Sequence, residues 1–341
     1  MNVGIIGAGG VSVFHNKGYV AGGATVAAIA DLDPLALARR QREWNIPKGY
    51  SNYQELLEDP GIEAVSVCLP NALHHPVTLA AARAGKHVLC EKPLSLSLEK
   101  AEEMIRVCRE AGVVLQTGHH LRSDSASLQA KKLVDSGALG RVTFMRLRQA
   151  HDWGGSKTVR GVFGSLAHSG GGTLLDNGCH MMDLARYFGG DVRTVYANTA
   201  TLGFDVEVED TSVAALTFAS GALGSVENAW TATGWEEAFW IYGTDGAVEY
   251  SNRTGVLTHR FRSSQGTTFG DPDISHTTFG GHDAHTACEI DFLAAVRGER
   301  PVVCTGEDGL EAVRLVLACY KSAEQNTPVA LAGDEVPEAL L

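Results

Sequence analysis

The sequence predicts an α/β protein. A doubly wound parallel sheet comes first. An α+β domain on a large, open, mixed and mostly antiparallel sheet follows. Three observations carry this. Through the first third, continuous apolar runs alternate with helix-compatible stretches, as expected when helices cover both faces of a parallel sheet. The first run opens directly into the glycine-rich turn Gly7-Ala8-Gly9-Gly10. Beyond the first third the runs lengthen and alternate apolar with polar side chains, the pattern of antiparallel strands with one covered face. A length of 341 residues suggests about two domains at roughly 100–200 residues each. The predicted domains are 1–120 and 121–341, with the C-terminal helix able to pack back on the first.

Taken in order, residues 3–6 form a strand, 11–21 a helix and 25–30 a strand ending at Asp31. A helix over 34–44 starts on Pro34, a residue suited to the first helical position. A short helix at 54–57, a strand at 64–69, a helix at 72–84, a strand at 87–90, a helix at 98–111 and a strand at 113–115 complete the first domain. The second domain has strands at 142–149, 193–202, 211–218, 222–229, 237–242 and 247–251. Turn signals such as Ser220-Gly221 and Thr244-Asp245-Gly246 separate them. Helices are expected at 173–188, 285–297 and 309–324, and residues 260–280 read as a long loop rich in Ser, Thr, Gly and Phe.

Composition narrows the function. The chain has 28 basic and 40 acidic side chains, a formal charge of −12, which argues against nucleic-acid or anionic-membrane partners. A small anionic substrate held by one or two local Arg or Lys side chains remains open. Seven cysteines without a CxxC pair read as reduced, buried thiols, and a cytoplasmic location is expected. The start MNVGIIGAGG has no secretory pattern. No apolar run reaches the length of a membrane span.

The chemistry-bearing motifs begin at Gly7-Ala8-Gly9-Gly10-Val11. Gly7 and Gly9 allow a tight turn and close approach of a pyrophosphate at a helix N-terminus, although Ser12 stands where the dinucleotide fingerprint has its third glycine. Asp31 closes the second strand, placed to accept hydrogen bonds from adenosine ribose hydroxyls. Leu32 follows it, where a 2′-phosphate site would carry Arg or Ser, so NAD is expected over NADP. Glu91-Lys92-Pro93 ends the fourth long strand. Pro93 holds Lys92 extended, and a desolvated lysine there can exchange a proton with a substrate hydroxyl. Asp176, His180 and Asp183 fall on one helical face, with Gly178 between the first two leaving space for a ligand. His180 suits a general base, and Asp176 can bind a sugar hydroxyl or tune that base. No metal is expected, because no close set of three or four ligands is evident.

With GAGGVSVFH including His15, AIADLDP, LPNALHHP, GKHVLCEKP, SGGGTLLDNGCHMMD and the tail VVCTGEDGLEAVRLVLACYKSA, nearly the whole chain resembles the glucose–fructose oxidoreductase and inositol dehydrogenase (Gfo/Idh/MocA) family. The resemblance implies an NAD-binding Rossmann domain, a second domain that supplies the substrate side, and assembly through its sheet as a homodimer or homotetramer. It implies Lys92, Asp176 and His180 as the catalytic set and places Asn71 and His74 beside the cofactor; Leu69, Pro70, Glu91 and Lys92 are further cofactor-binding candidates. Gly118-His119-His120-Leu121-Arg122 stands where many relatives carry an Asn-Arg-Arg-type stretch, and His119 is a candidate substrate contact. So are His151 and Trp153 in HDWGG, Arg160 and His168. His282 and His285 flank a helix start, with a pocket role open to His285.

The expected function is NAD-dependent oxidation of a secondary hydroxyl on a sugar, inositol or related polyol, with the reacting group at the seam of the two domains. The alternatives are an NAD-recycling enzyme that cleaves glycosides through a transient 3-keto sugar, and an NAD-binding sensor without catalysis.

Overall fold

The computed structural model describes residues 1–152, 159–261, 273–279 and 283–331. They divide into two compact units, one of Met1–Ser123 with Asp283–Val313 and one of Asp124–His282 with Arg314–Leu340.

The first unit begins β1 (Asn2–Ile6), α1 (Ser12–Ala21), β2 (Thr25–Ala30), α2 (Pro34–Trp44), β3 (Lys48–Tyr50), α3 (Tyr53–Glu58) and β4 (Ala64–Val67). It continues α4 (His74–Arg83), β5 (His87–Cys90), α5 (Leu98–Glu110) and β6 (Leu115–Thr117). The strands form a parallel sheet in the order β3-β2-β1-β4-β5-β6. Neighbouring residues of one strand serve opposite faces. Ile6, Val65, Val67, Val88 and Cys90 pack with Leu56, Val77 and Met104 on one side. Val3, Ile5, Ile29, Ala64 and Leu89 pack with Tyr19, Phe292 and Leu293 on the other. Two covered faces are why these strands read as continuous apolar runs.

The second unit contains α6 (Ser125–Asp135), β7 (Val142–Asp152), α7 (Leu166–Ser169), α8 (Thr173–Asp176), α9 (Gly178–Gly189), β8 (Val192–Ala200), β9 (Thr211–Phe218) and β10 (Leu223–Ala229). Then come β11 (Thr231–Gly243), β12 (Gly246–Ser251), β13 (Val256–Phe261) and β14 (Asp273–Thr278). The chain goes on through α10 (Ala284–Val296), α11 (Gly306–Gln325) and β15 (Val329–Ala330). The large sheet has the order β14-β13-β12-β11-β7-β10-β9-β8-β15. β7 and β10 pair parallel and the other neighbours antiparallel.

Several expectations shift. The first unit runs on to Ser123, and α10 with the start of α11 belongs to it rather than to the second. Within 260–280, expected as a loop, β13 ends and β14 lies. Every side chain of β14 is exposed, so its sequence shows no apolar alternation. β3 and β15 are three- and two-residue strands without a periodic signal. The helix expected over 173–188 breaks at Asn177 into α8 and α9, although Asn177 keeps right-handed φ −82° and ψ −42°. All seven cysteines are buried and none is joined in a disulfide. Among the described residues no helix is long and apolar enough to cross a membrane.

Candidate functional site

β1 ends at Ile6 and the chain turns at Gly7, whose φ is +106°. A Cβ on Gly7 would lie 2.1 Å from the Cys68 carbonyl oxygen, so only glycine closes this turn against the end of β4. Gly9 and Gly10 are different. A Cβ on either would meet nothing within 4 Å, which leaves the turn open on its outer side. Val11 immediately precedes α1, and no side chain caps the helix start. Open space beside uncapped backbone N–H groups is what a pyrophosphate needs, so these residues fit a dinucleotide. Ser12 fills the third-glycine place. It is buried, and its hydroxyl donates to the Gly9 carbonyl at 2.7 Å.

Asp31, just past β2, accepts from the Ala8 N–H at 2.6 Å and the Asp33 N–H at 2.8 Å. The carboxylate is therefore locked beside the glycine turn, while Leu32 projects 85% exposed. Arg40 of α2 also reaches this turn, with Nε 3.3 Å from the Ala8 carbonyl oxygen and its guanidinium over Trp44. Sequence reading missed Arg40, because which helix side chain reaches back is set by packing.

The ends of β4 and β5 carry Leu69–His74 and Glu91–Pro93. Asn71 opens a short 3₁₀ turn that runs into α4. The exposed Pro70 precedes it, and Leu69 is partly buried against the core. His74 is buried, with Nδ1 2.7 Å from the Pro93 carbonyl oxygen and Nε2 2.8 Å from that of Leu69. Burial holds this imidazole below its usual range, so the neutral ring donates to one carbonyl at a time and braces the two turns. The Lys92–Pro93 peptide is cis.

Glu91 is buried beside Lys92, whose N–H donates to Glu91 Oε2 at 3.3 Å. His15 of α1 places Nε2 2.9 Å from Glu91 Oε1 and Nδ1 2.8 Å from Ser66 Oγ and 3.4 Å from Glu289 Oε1. Burial alone would push Glu91 up, but the His15 imidazolium outweighs it and holds the carboxyl at about 2. Burial likewise opposes charge on His15, yet Cys68, Glu289 and Glu91 keep it well above the usual range. Burial pushes Glu289 up to about 7.

At the end of β6, the Gly118 N–H donates to the Cys90 carbonyl at 2.7 Å. His119 is buried. His120 stacks on His285 with centroids 3.6 Å apart, and Phe14 stacks on the other side at 4.5 Å. Burial lowers both imidazoles, His285 to about 4, so they stand neutral at pH 7. Arg122 is buried in an ion pair with Asp308 at 2.9 Å, which accounts for it as a structural group.

In the second unit, Gly170-Gly171-Gly172 leads into α8. A Cβ on Gly172 would sit 1.8 Å from the Glu209 carbonyl oxygen. Asp176 ends α8, and the Trp230 indole N–H donates to its Oδ2 at 3.3 Å. His180 and Asp183 lie buried in the first turns of α9. His151 of β7 is buried, with Nε2 3.0 Å from Asn177 Oδ1, which ties it to the junction between Asp176 and His180. Its ring stacks on Trp235 with centroids 4.2 Å apart and planes 4° from parallel. Trp235 was not anticipated. It precedes the apolar run of 237–242 and follows Gly234, whose φ is +83°. His168 is exposed on α7, with Nδ1 3.1 Å from Ser165 Oγ, among none of these groups. Trp153 and His282 lie outside the described residues, and Arg160 contributes no described side chain.

Residues 1–119 match the oxidoreductase family with an NAD-binding Rossmann fold, and residues 127–249 match the GFO/IDH/MocA C-terminal domain. The chain is 31% identical to myo-inositol 2-dehydrogenase of Thermotoga maritima, over 97% of this chain and 98% of that protein. It is 34% identical to 1,5-anhydro-D-fructose reductase of Ensifer adhaerens, over 82% and 83%. Among solved structures, levoglucosan dehydrogenase in complex with NADH and levoglucosan superposes with a TM-score of 0.91 at 26% identity, over 98% of this chain and 100% of that one. With both halves matched in order and relatives aligned end to end, this chain belongs to the Gfo/Idh/MocA family of NAD-binding oxidoreductases.

Proposed function

We propose that this enzyme oxidises a secondary hydroxyl of a sugar, inositol or related polyol, with Lys92, Asp176 and His180 as its catalytic set. NAD, when bound, supplies the hydride acceptor. Gly7, Ala8, Gly9, Gly10, Val11 and Asp31 would hold it, and Leu69, Pro70, Asn71, His74 and Glu91 would shape the neighbouring turns. His180 takes the proton of the reacting hydroxyl, and Lys92 shares that proton handling. Asp176 accepts a hydrogen bond from a substrate hydroxyl and so orients it.

The observation that carries this reading is the restraint on Asp176. One carboxylate oxygen is bonded by the Trp230 indole at 3.3 Å, on a fully buried side chain. That holds the acid in one orientation at the start of the His180 helix, as a substrate-orienting group requires. The names of the relatives, which include an inositol dehydrogenase and a levoglucosan dehydrogenase, support the substrate class.

The test is a screen of polyols, sugars and glycosides with NAD, reading NADH absorbance and release of aglycone together. Substrate-dependent NADH formation is expected. Aglycone release without net NADH would replace this reading with redox-neutral glycoside cleavage, and no turnover of any kind would favour a sensor.

A further inference from the structure

Trp235 is 47% exposed, an unusual position for the largest apolar side chain. It is nonetheless held rigidly. One ring face lies flat on the buried imidazole of His151, 4° from parallel. The Glu237 carboxylate two residues on faces both the Trp235 side chain and Gln149 Nε2, the latter at 2.8 Å. An exposed aromatic ring whose polar edge is anchored by a partly buried carboxylate is a binding surface more than a core element.

Its place on the sheet narrows what it binds. Trp235 of β11 pairs with His151 of β7, and cross-strand partners project to the same sheet face. His151 reaches from that face to Asn177, so Trp235 shares the face of α8 and α9 and not the one carrying Arg146 and Arg148. Between Trp235 and the α8–α9 junction that carries Asp176 and His180 stand one imidazole and one amide. A ring lying on Trp235 is thus offset from the proton-handling groups.

We infer that Trp235 is a stacking platform for the part of the substrate that does not react, and that the enzyme takes pyranosides bearing a second ring, either another sugar or a cyclic aglycone. This rests on the dehydrogenase reading above for the position of the reacting ring. The C–H face of a pyranose, or a flat aglycone, covers the indole, while Gln149 and Glu237 face hydroxyls at its edge.

The test measures calorimetric binding of p-nitrophenyl and methyl D-glucopyranosides, both anomers of each, to the NADH-loaded protein. Aromatic stacking at about 0.5–1.5 kcal/mol predicts that one aryl glycoside binds up to about tenfold tighter than its methyl counterpart. Trp235→Ala should bring that ratio close to one, and Trp235→Phe, which keeps a ring, should retain most of it. Equal affinities in the unmodified protein, a ratio that survives Trp235→Ala, or no glycoside binding would each overturn the inference. Oxidation of myo-inositol without glycoside binding would leave the dehydrogenase reading intact. A Trp235-dependent ratio in a protein that reduces no NAD would do the reverse.

Discussion

His15 Nε2 stands 2.9 Å from Glu91 Oε1, with the histidine side chain fully buried and the glutamate 8% exposed. Removing one member of a buried ion pair strands the other, at about 3–5 kcal/mol. His15→Leu should therefore lower unfolding stability by about that amount in a denaturant titration. The pH sign follows from Glu91, whose folded value of about 2 lies below its ordinary 4.5. Its contribution is present above the unfolded value and is lost as pH falls from about 4.5 towards 2. Unmodified protein should show that acid loss and His15→Leu should show much less of it. Identical acid limbs would contradict the pairing.

Glu289 has the opposite sign. Its folded value of about 7 lies above the ordinary 4.5, so the native state holds the proton longer than the unfolded chain. Stability should fall between pH 4.5 and 7 by on the order of 3 kcal/mol from this group. Glu289→Gln keeps the shape and removes the titration, so its stability curve should be flatter across that window. A variant curve parallel to the parent curve would argue that Glu289 ionises normally.

We expect cofactor choice to turn on Asp31. A locked carboxylate repels a 2′-phosphate and accepts hydrogen bonds from a free ribose diol. NAD should bind more tightly than NADP, and Asp31→Ser combined with Leu32→Arg should narrow or invert the difference in a fluorescence titration. Stronger NADP binding by the unmodified protein would refute the assignment.

The proposed catalytic set gives a rate prediction. Lys92→Ala and His180→Ala should each lower kcat by about 10²–10⁴-fold, the usual contribution of a general acid or base, with NAD affinity little changed. Asp176→Ala should raise KM as well as lower kcat. A folded His180→Ala protein with near-normal turnover would remove His180 from its role as base.

Assembly is expected through the sheet face opposite α9. Phe144, Leu223 and Tyr242 are register partners on that face, at 39%, 52% and 43% exposure. Leu223→Glu should shift a dimer or tetramer towards smaller species in light scattering at micromolar concentration. A monomeric parent protein would rule the expectation out.

The sequence made the first unit legible because β1, β4 and β5 are covered on both faces and show it as unbroken apolar runs. It hid β14, whose side chains are exposed on both faces, and β3, too short for a period. Asp176 and His180 could be singled out as candidates because they lie one turn apart along the chain. His15 and Glu289 were not paired in advance, since nothing local links residues that far apart. The available signal was Glu289 and Asp291 interrupting the otherwise apolar run of α10. Trp235 carried no periodic mark, and only its register opposite His151 gives it a role.

The late return of α10 has a consequence for how the protein is made. Phe292 and Leu293 are fully buried against Val3, Ile5 and Ile29, so the first strands wait for residues near the far end of the chain. On a ribosome, the opening Rossmann segment emerges with α1 but not α10 on this side of its sheet, while Asp124–His282 is still being synthesised. A fragment stopped after Ser123 should accordingly aggregate or recruit a chaperone. Joining Asp283–Val313 to that fragment through a short linker should restore a soluble, NAD-binding domain.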